Sequence, residues 1–145
     1  AFFAGCNIDF VFPETGEAIV KVLQDLNMEV VFPMDQSCCG KPALGMGDRE
    51  TGKKIAKQNI EAFEKDGADV IICACPTCAE TLHKTYAELF ADDEEWSRRV
   101  EAFCSKIREF TSFVADAYQK AGRLANKCAS LCKRHRVPLR RLGFC

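Results

Sequence analysis

No run in these 145 residues approaches the roughly 18 consecutive apolar side chains of a membrane helix, so no transmembrane segment is expected. The chain opens on Ala1-Phe2-Phe3-Ala4-Gly5, with neither a basic stretch nor a long apolar one, and so lacks the pattern of an export signal. Gly45, Gly47 and Gly52 do not form a phosphate loop, because no Gly-x-x-x-x-Gly-Lys-Ser/Thr pattern contains them. Acidic residues are missing from residues 119–145, which carry 8 Lys and Arg and a charge of +8. Residues 1–118 hold 12 Lys and Arg against 21 Asp and Glu, a charge of −9, so the net charge of −1 hides the asymmetry. Such a break marks a tail or a segment of different origin, and 119–145 is expected to be a basic tail, disordered or of foreign reading frame. The tail carries no recognisable nucleic-acid module, so no nucleic-acid partner is expected.

What is abundant is cysteine: ten residues in a chain of ordinary globular proportions, 48% hydrophobic and 28% charged. The length suits one domain with a real core. Many cysteines without an export signal point to a reducing, cytoplasmic setting, where thiols bind metal or do redox work.

Short apolar runs alternate with helix-period stretches. Phe2–Ala4 reads as a strand ending at Gly5-Cys6. Pro13 and Glu14 open a helix, with Ala18, Ile19, Val22, Leu23 and Leu26 at helical spacing up to Asn27. Met28–Phe32 reads as a second strand closed by Pro33. Another helix is predicted over residues 48–65, with Ile55, Ala56, Ile60 and Phe63 on one face and Gly67 behind it. The continuous apolar run Val70–Ala74 predicts a strand covered on both faces. Cys75-Pro76-Thr77-Cys78 then turns into a helix carrying Leu82, Tyr86 and Leu89. The acidic group Asp92–Glu95 opens a last helix, with Trp96, Val100, Phe103, Ile107, Phe110 and Val114 on its inner face. The order β-α-β-α-β-α predicts a three-layer α/β fold: a short parallel sheet flanked by helices, Rossmann-like, followed by a C-terminal helix and the basic tail.

In this topology Cys6, the pair Cys38-Cys39 and the pair Cys75/Cys78 each follow a strand. The carboxyl ends of parallel strands form one ligand edge, so the three groups are expected to converge there. The gaps are 31 residues between Cys6 and Cys38 and 35 between Cys39 and Cys75. Adjacent cysteines suit a polynuclear centre, whose metal atoms neighbouring thiolates can reach separately. Two other chemistries stay open on spacing alone. One is a structural zinc, which takes four ligands and fits a pair without intervening residues poorly. The other is a dithiol in Cys75-x-x-Cys78, set between strand and helix. Cys73 and Cys104 read as buried small apolar residues. Cys128, Cys132 and Cys145 in the basic tail have no assignment, and His83, one turn past Cys78, is within conceivable reach of the site.

The cysteine pattern resembles that of the cysteine-rich CCG domain family, found in heterodisulfide reductase, in the glycolate oxidase iron–sulfur subunit and in lactate-utilisation iron–sulfur proteins. The flanks Phe3-Ala-Gly-Cys6, Phe12-Pro13-Glu14-x-Gly16, Val31-Phe-Pro33-x-Asp35-Gln36-x-Cys38-Cys-Gly-x-Pro42 and Glu88-Leu-Phe90 most resemble the lactate/glycolate branch. The resemblance covers residues 1–118. It implies a noncubane [4Fe–4S] cluster held by Cys6, Cys38, Cys39, Cys75 and Cys78. It also implies electron transfer within an oxidoreductase complex that includes a flavin-containing donor, in the cytoplasm or peripheral to the membrane through partners. Members of this branch usually carry two copies of the domain behind a ferredoxin-like segment. A single copy stands here, and residues 119–145 do not resemble a second. The chain is thus expected to be a subunit or fragment of an oxidoreductase rather than a complete enzyme.

Overall fold

The computed structural model describes residues 1–120, which fall into two units, the first Ala1–Thr111 and the second from Ser112 on. The first contains all five candidate ligands. Its chain order begins β1 (Phe2–Phe3), α1 (Gly5–Phe10), α2 (Pro13–Asp25), α3 (Lys41–Gly45) and α4 (Arg49–Lys65). It continues through β2 (Ile71–Cys73), α5 (Pro76–Glu80), a π-helical turn (Thr81–Thr85), α6 (Tyr86–Leu89), α7 (Glu94–Lys106) and β3 (Ile107–Glu109). The helix α8 (Phe110–Lys120) leads into the second unit. The predicted basic tail lies, apart from residues 119 and 120, outside the described residues.

The three strands pair in the order β1-β2-β3, all parallel. Ile72 and Cys73 sit opposite Phe2 and Phe3 on one side of β2 and opposite Arg108 and Glu109 on the other. Strand side chains alternate between faces. Phe2 accordingly lies beside Gly16 of α2, whereas Phe3 packs on Phe63 of α4 with ring centroids 6.0 Å apart. Helices therefore cover both faces, and the α/β class expected from the sequence is the one observed. From Phe63 the aromatic contacts run to Phe103 on α7 and on to Tyr86, each step 6.0 Å. This row of buried rings connects the sheet to the helix that follows the Cys75/Cys78 turn.

Two elements differ from expectation. Met28–Phe32 builds no ladder. It reaches β1 through one bond, Phe2 N–H donating to Val31 O (2.9 Å). A two-residue β1 offers too little edge for more. The last helix, expected to run on through Val114, breaks after Lys106, and Ile107–Glu109 become β3. The apolar positions Phe103, Ile107 and Phe110 fit helical spacing. Without β3, however, β2 would be buried with one row of backbone N–H and C=O groups unpaired, a larger penalty than interrupting a helix. Ile107 remains buried in its new role, opposite Ile71.

Candidate metal centre

The three cysteine groups arrive by three different local devices. Gly5 follows β1 at φ +65°, a left-handed conformation that turns the chain at once into α1, so that Cys6 stands one residue past Gly5 at the start of that helix. A Cβ on Gly5 would lie 3.1 Å from Cys78 Sγ. The missing side chain therefore lets the Cys78 sulfur approach the backbone next to Cys6. Cys75 is extended and caps α5, with Pro76 fixing the first helical position. One turn of helix then carries Cys78 inward. Cys38 and Cys39 sit in the loop before α3, and Gly40 at φ +82° redirects the chain behind them.

The five sulfurs form one continuous file. Each sulfur acts on the charge state of the next: Cys6 on Cys38, Cys38 and Cys78 on Cys39, and Cys75 on Cys78. All are free thiols. Cys6 is exposed, Cys38 and Cys75 are half-buried, and Cys39 and Cys78 are buried. The file thus runs from the exposed Cys6 through the buried Cys39 and Cys78 to the half-buried Cys75. Among the described residues, no three His, Cys, Asp or Glu side chains close around a single point as one metal ion requires.

Charge along the file is uneven. The Cys78 thiol donates to Cys39, which brings the Cys39 thiol down to about 6 in spite of its burial; the Lys41 amide, Cys38 and the Thr81 hydroxyl help. Cys78 is pushed up for the same reason, since its proton is engaged by Cys39. Burial raises Cys38, against the pull of the Gly40 amide. One thiolate near neutral pH, flanked by thiols and backed by amides, suits a positively charged metal centre.

The loop that presents Cys38 and Cys39 is fastened from below. Gln36 accepts from Ala4 N–H (3.0 Å) and donates to Phe2 O (3.2 Å), tying the loop to the end of β1. Asn59 of α4, fully buried, accepts from Ser37 N–H (2.8 Å) and donates to Cys38 O (2.9 Å) and to the Tyr86 hydroxyl (3.0 Å). Tyr86 in turn donates to Cys39 O (3.0 Å). Helical spacing marks Tyr86 only as an apolar position and gives Asn59 no role. A signal is nevertheless there: Asn59 is a lone polar residue between Ala56, Ile60 and Phe63 on the apolar stripe of α4.

Residues outside the file are also placed. Cys73 is wholly buried in β2, and burial pushes its thiol up to about 12. Cys104 is buried and donates to Leu82 O (3.1 Å), a carbonyl within the π-helical turn. Both are interior residues, as their apolar settings in the sequence suggest. His83 is exposed and lines a surface hollow with Glu80, Lys84 and Glu109, a hollow that none of the five cysteines lines. An apolar hollow of about 430 Å³ between Phe2, Ile8, Pro13, Val20 and Phe32 is likewise separate from the sulfurs. No described helix is long and apolar enough to cross a membrane.

Known proteins are similar to this chain. The chain is 41% identical over 119 residues to lactate utilization protein A of Exiguobacterium sp., covering 82% of this chain and 48% of that protein. It is 40% identical over 116 residues to a probable glycolate oxidase iron-sulfur subunit of Bacillus subtilis, covering 80% of this chain and 26% of that protein. With lactate utilization protein A 2 of Bacillus cereus the identity is 34% over 120 residues, 83% of this chain and 49% of that protein. The chain thus spans about half the length of these relatives or less. No solved structure matches. The profile of the cysteine-rich CCG domain matches residues 1–83, a span that includes all five cysteines of the file, and the chain belongs to the cysteine-rich CCG domain family.

Proposed function

We propose that residues 1–118 form an electron-transfer module that binds one iron–sulfur cluster, of the noncubane [4Fe–4S] kind, through Cys6, Cys38, Cys39, Cys75 and Cys78. The observation that carries this reading is the file of five thiols. A file cannot wrap one ion, but it can hand separate sulfurs to several irons, and the adjacent pair Cys38-Cys39 is then an asset rather than a crowding problem. The donor set fits such a cluster: five thiols, one sulfur already a thiolate near neutral pH, and amides of Gly40 and Lys41 aimed at the pair. The cluster, when bound, supplies one-electron redox chemistry. The chain itself supplies the thiolate charge and the amide dipoles. Burial of Cys39 and Cys78 keeps water from the middle of the file, and the exposed end at Cys6 gives electrons an entry. The names of the relatives suggest the setting, a system that acts on lactate or glycolate and has other subunits; to it our reading adds a flavin-containing electron donor, a reducing compartment and contact with a membrane only through partners.

Anaerobic reconstitution followed by iron, sulfide and zinc analysis tests the reading. About four irons and matching sulfide per chain are expected. Cys38→Ser is expected to lose most of that iron and to destabilise the fold, because metal binding and folding are coupled. One tightly held zinc and no iron, or dithiol activity in a metal-free chain that survives loss of Cys6, Cys38 and Cys39, would overturn it.

A further inference from the structure

Neighbouring residues on an extended chain point their side chains to opposite sides. For Cys38 and Cys39 to join a single file, the two peptide planes that flank Cys39 must be turned out of the extended arrangement and held there. Each of those planes carries one carbonyl, Cys38 O and Cys39 O. Asn59 donates to the first at 2.9 Å and Tyr86 to the second at 3.0 Å, and the two side chains are themselves joined at 3.0 Å. A third bond, Ser37 N–H to Asn59 Oδ1 at 2.8 Å, fixes the peptide before the pair.

We propose that Asn59 and Tyr86 are positioning residues for the cluster site, a bracket that sets the orientation of the Cys38-Cys39 peptides so that both sulfurs face the same centre. The bracket rests on the reading of the site given above. It is saturated. Both amide protons of Asn59 and its carbonyl oxygen are engaged, and the Tyr86 hydroxyl accepts one bond and donates one. No buried side-chain N or O among the described residues lacks a partner. It is also rigidly based. Asn59 sits well inside the 17-residue α4, and Tyr86 packs in the stacked ring pair with Phe103. The loop itself has neither helix nor strand between Met28 and Gly40; Gln36, Gln58 and Lys65 fasten the stretch before the cysteine pair, and Asn59 and Tyr86 fasten the pair itself. Outer partners of this kind, which orient ligands without touching metal, typically change metal affinity by about 10–100-fold when removed.

The test compares the full chain with Tyr86→Phe, Asn59→Ala and, as a control of similar instability away from the loop, Asp93→Ala at the start of α7. Two quantities are read: amide hydrogen exchange over residues 37–41 in the metal-free chain, and the rate at which a chelator strips iron from the reconstituted chain. Tyr86→Phe removes one oxygen and keeps the ring, so the fold is expected to survive. Both bracket variants are expected to speed exchange in the loop and iron release by about tenfold or more, with Asp93→Ala leaving both at the parent rate. Loop exchange unchanged in Tyr86→Phe and Asn59→Ala, or iron release that follows thermal stability alone and is matched by Asp93→Ala, would overturn the bracket. A parent chain that takes up no iron would overturn the cluster instead, and the exchange measurement would still decide whether the two residues hold the loop.

Discussion

Gly5 shows how one residue can serve the backbone and a ligand together. Its φ of +65° puts an L side chain in the left-handed region, and its Cβ position is 3.1 Å from Cys78 Sγ. Gly5→Ala is therefore expected to destabilise the metal-free chain by about 1–2 kcal/mol from the backbone alone. It should also displace the Cys78 sulfur and lower the iron retained after reconstitution. Urea unfolding and iron analysis read the two effects separately, and a variant as stable and as iron-rich as the parent would refute the close approach. Cys104 offers a second residue-scale test, one that involves no proposed ligand. Burial pushes its thiol up to about 11, whereas an unfolded chain ionises it near the usual 9. Above that lower value the unfolded state binds fewer protons than the folded state, so stability must fall as pH rises toward 11. Below it Cys104 adds no pH dependence. Lysines and other thiols titrate in the same window, so the readout is a difference: Cys104→Ala is expected to show a shallower loss of stability between pH 9 and 11 than the parent. Equal slopes would mean that the thiol is not held neutral.

At the scale of elements, helices with both a cap and a stripe are readable. Asp48 caps α4 by accepting from Thr51 N–H at 3.0 Å, and Asp93 caps α7 by accepting from Trp96 N–H at 3.1 Å. In each case the short acidic side chain stands just before the apolar periodicity begins. Asp93→Ala is expected to lose about 1 kcal/mol, a fall of roughly 4 °C in the melting temperature, without touching the cysteine file. Calorimetry of the variant checks it, and an unchanged melting point would remove Asp93 as the cap. The strands are harder to read because their identity depends on distant edges. Val70–Ala74 announces itself by being apolar on both faces. Ile107–Glu109 does not, since Ile107 keeps helical spacing with Phe103 and only the bare edge of β2 gives the segment a reason to extend. Met28–Phe32 misleads in the other direction: its composition suits a strand, but β1 spans two residues and cannot sustain a second ladder. The candidate site is more legible than the sheet. Its residues sit at chain reversals fixed by glycine and proline, and those leave marks in sequence. The bracket leaves only a faint mark, because the function of Asn59 depends on partners 21 and 27 residues away.

For the first unit taken whole, the distribution of order sets what the metal must contribute. Residues 49–106 are almost continuous helix and strand around the rings of Phe63, Tyr86, Phe90, Trp96 and Phe103, whereas Met28–Gly40 is held largely by side-chain bonds, those of Gln36, Gln58, Asn59, Lys65 and Tyr86 among them. A cluster bound to Cys6, Cys38, Cys39, Cys75 and Cys78 would cross-link the end of β1, this loop and the end of β2, joining the irregular part to the helices and strands. Any ligand that binds only the folded state stabilises it by mass action, by about 4 kcal/mol when present at a thousandfold excess over its dissociation constant. On that basis, stripping iron anaerobically is expected to lower the melting temperature by on the order of 10 °C. The loss should not be uniform. Hydrogen exchange should rise most over residues 28–41 and at Cys6, and least within α4 and α7, which hold their own hydrogen-bonded helices around a shared core of rings. Equal melting temperatures before and after stripping would show that the cluster does not tie the loop to the sheet. A uniform rise in exchange, α4 and α7 included, would show that the helical part cannot stand without it.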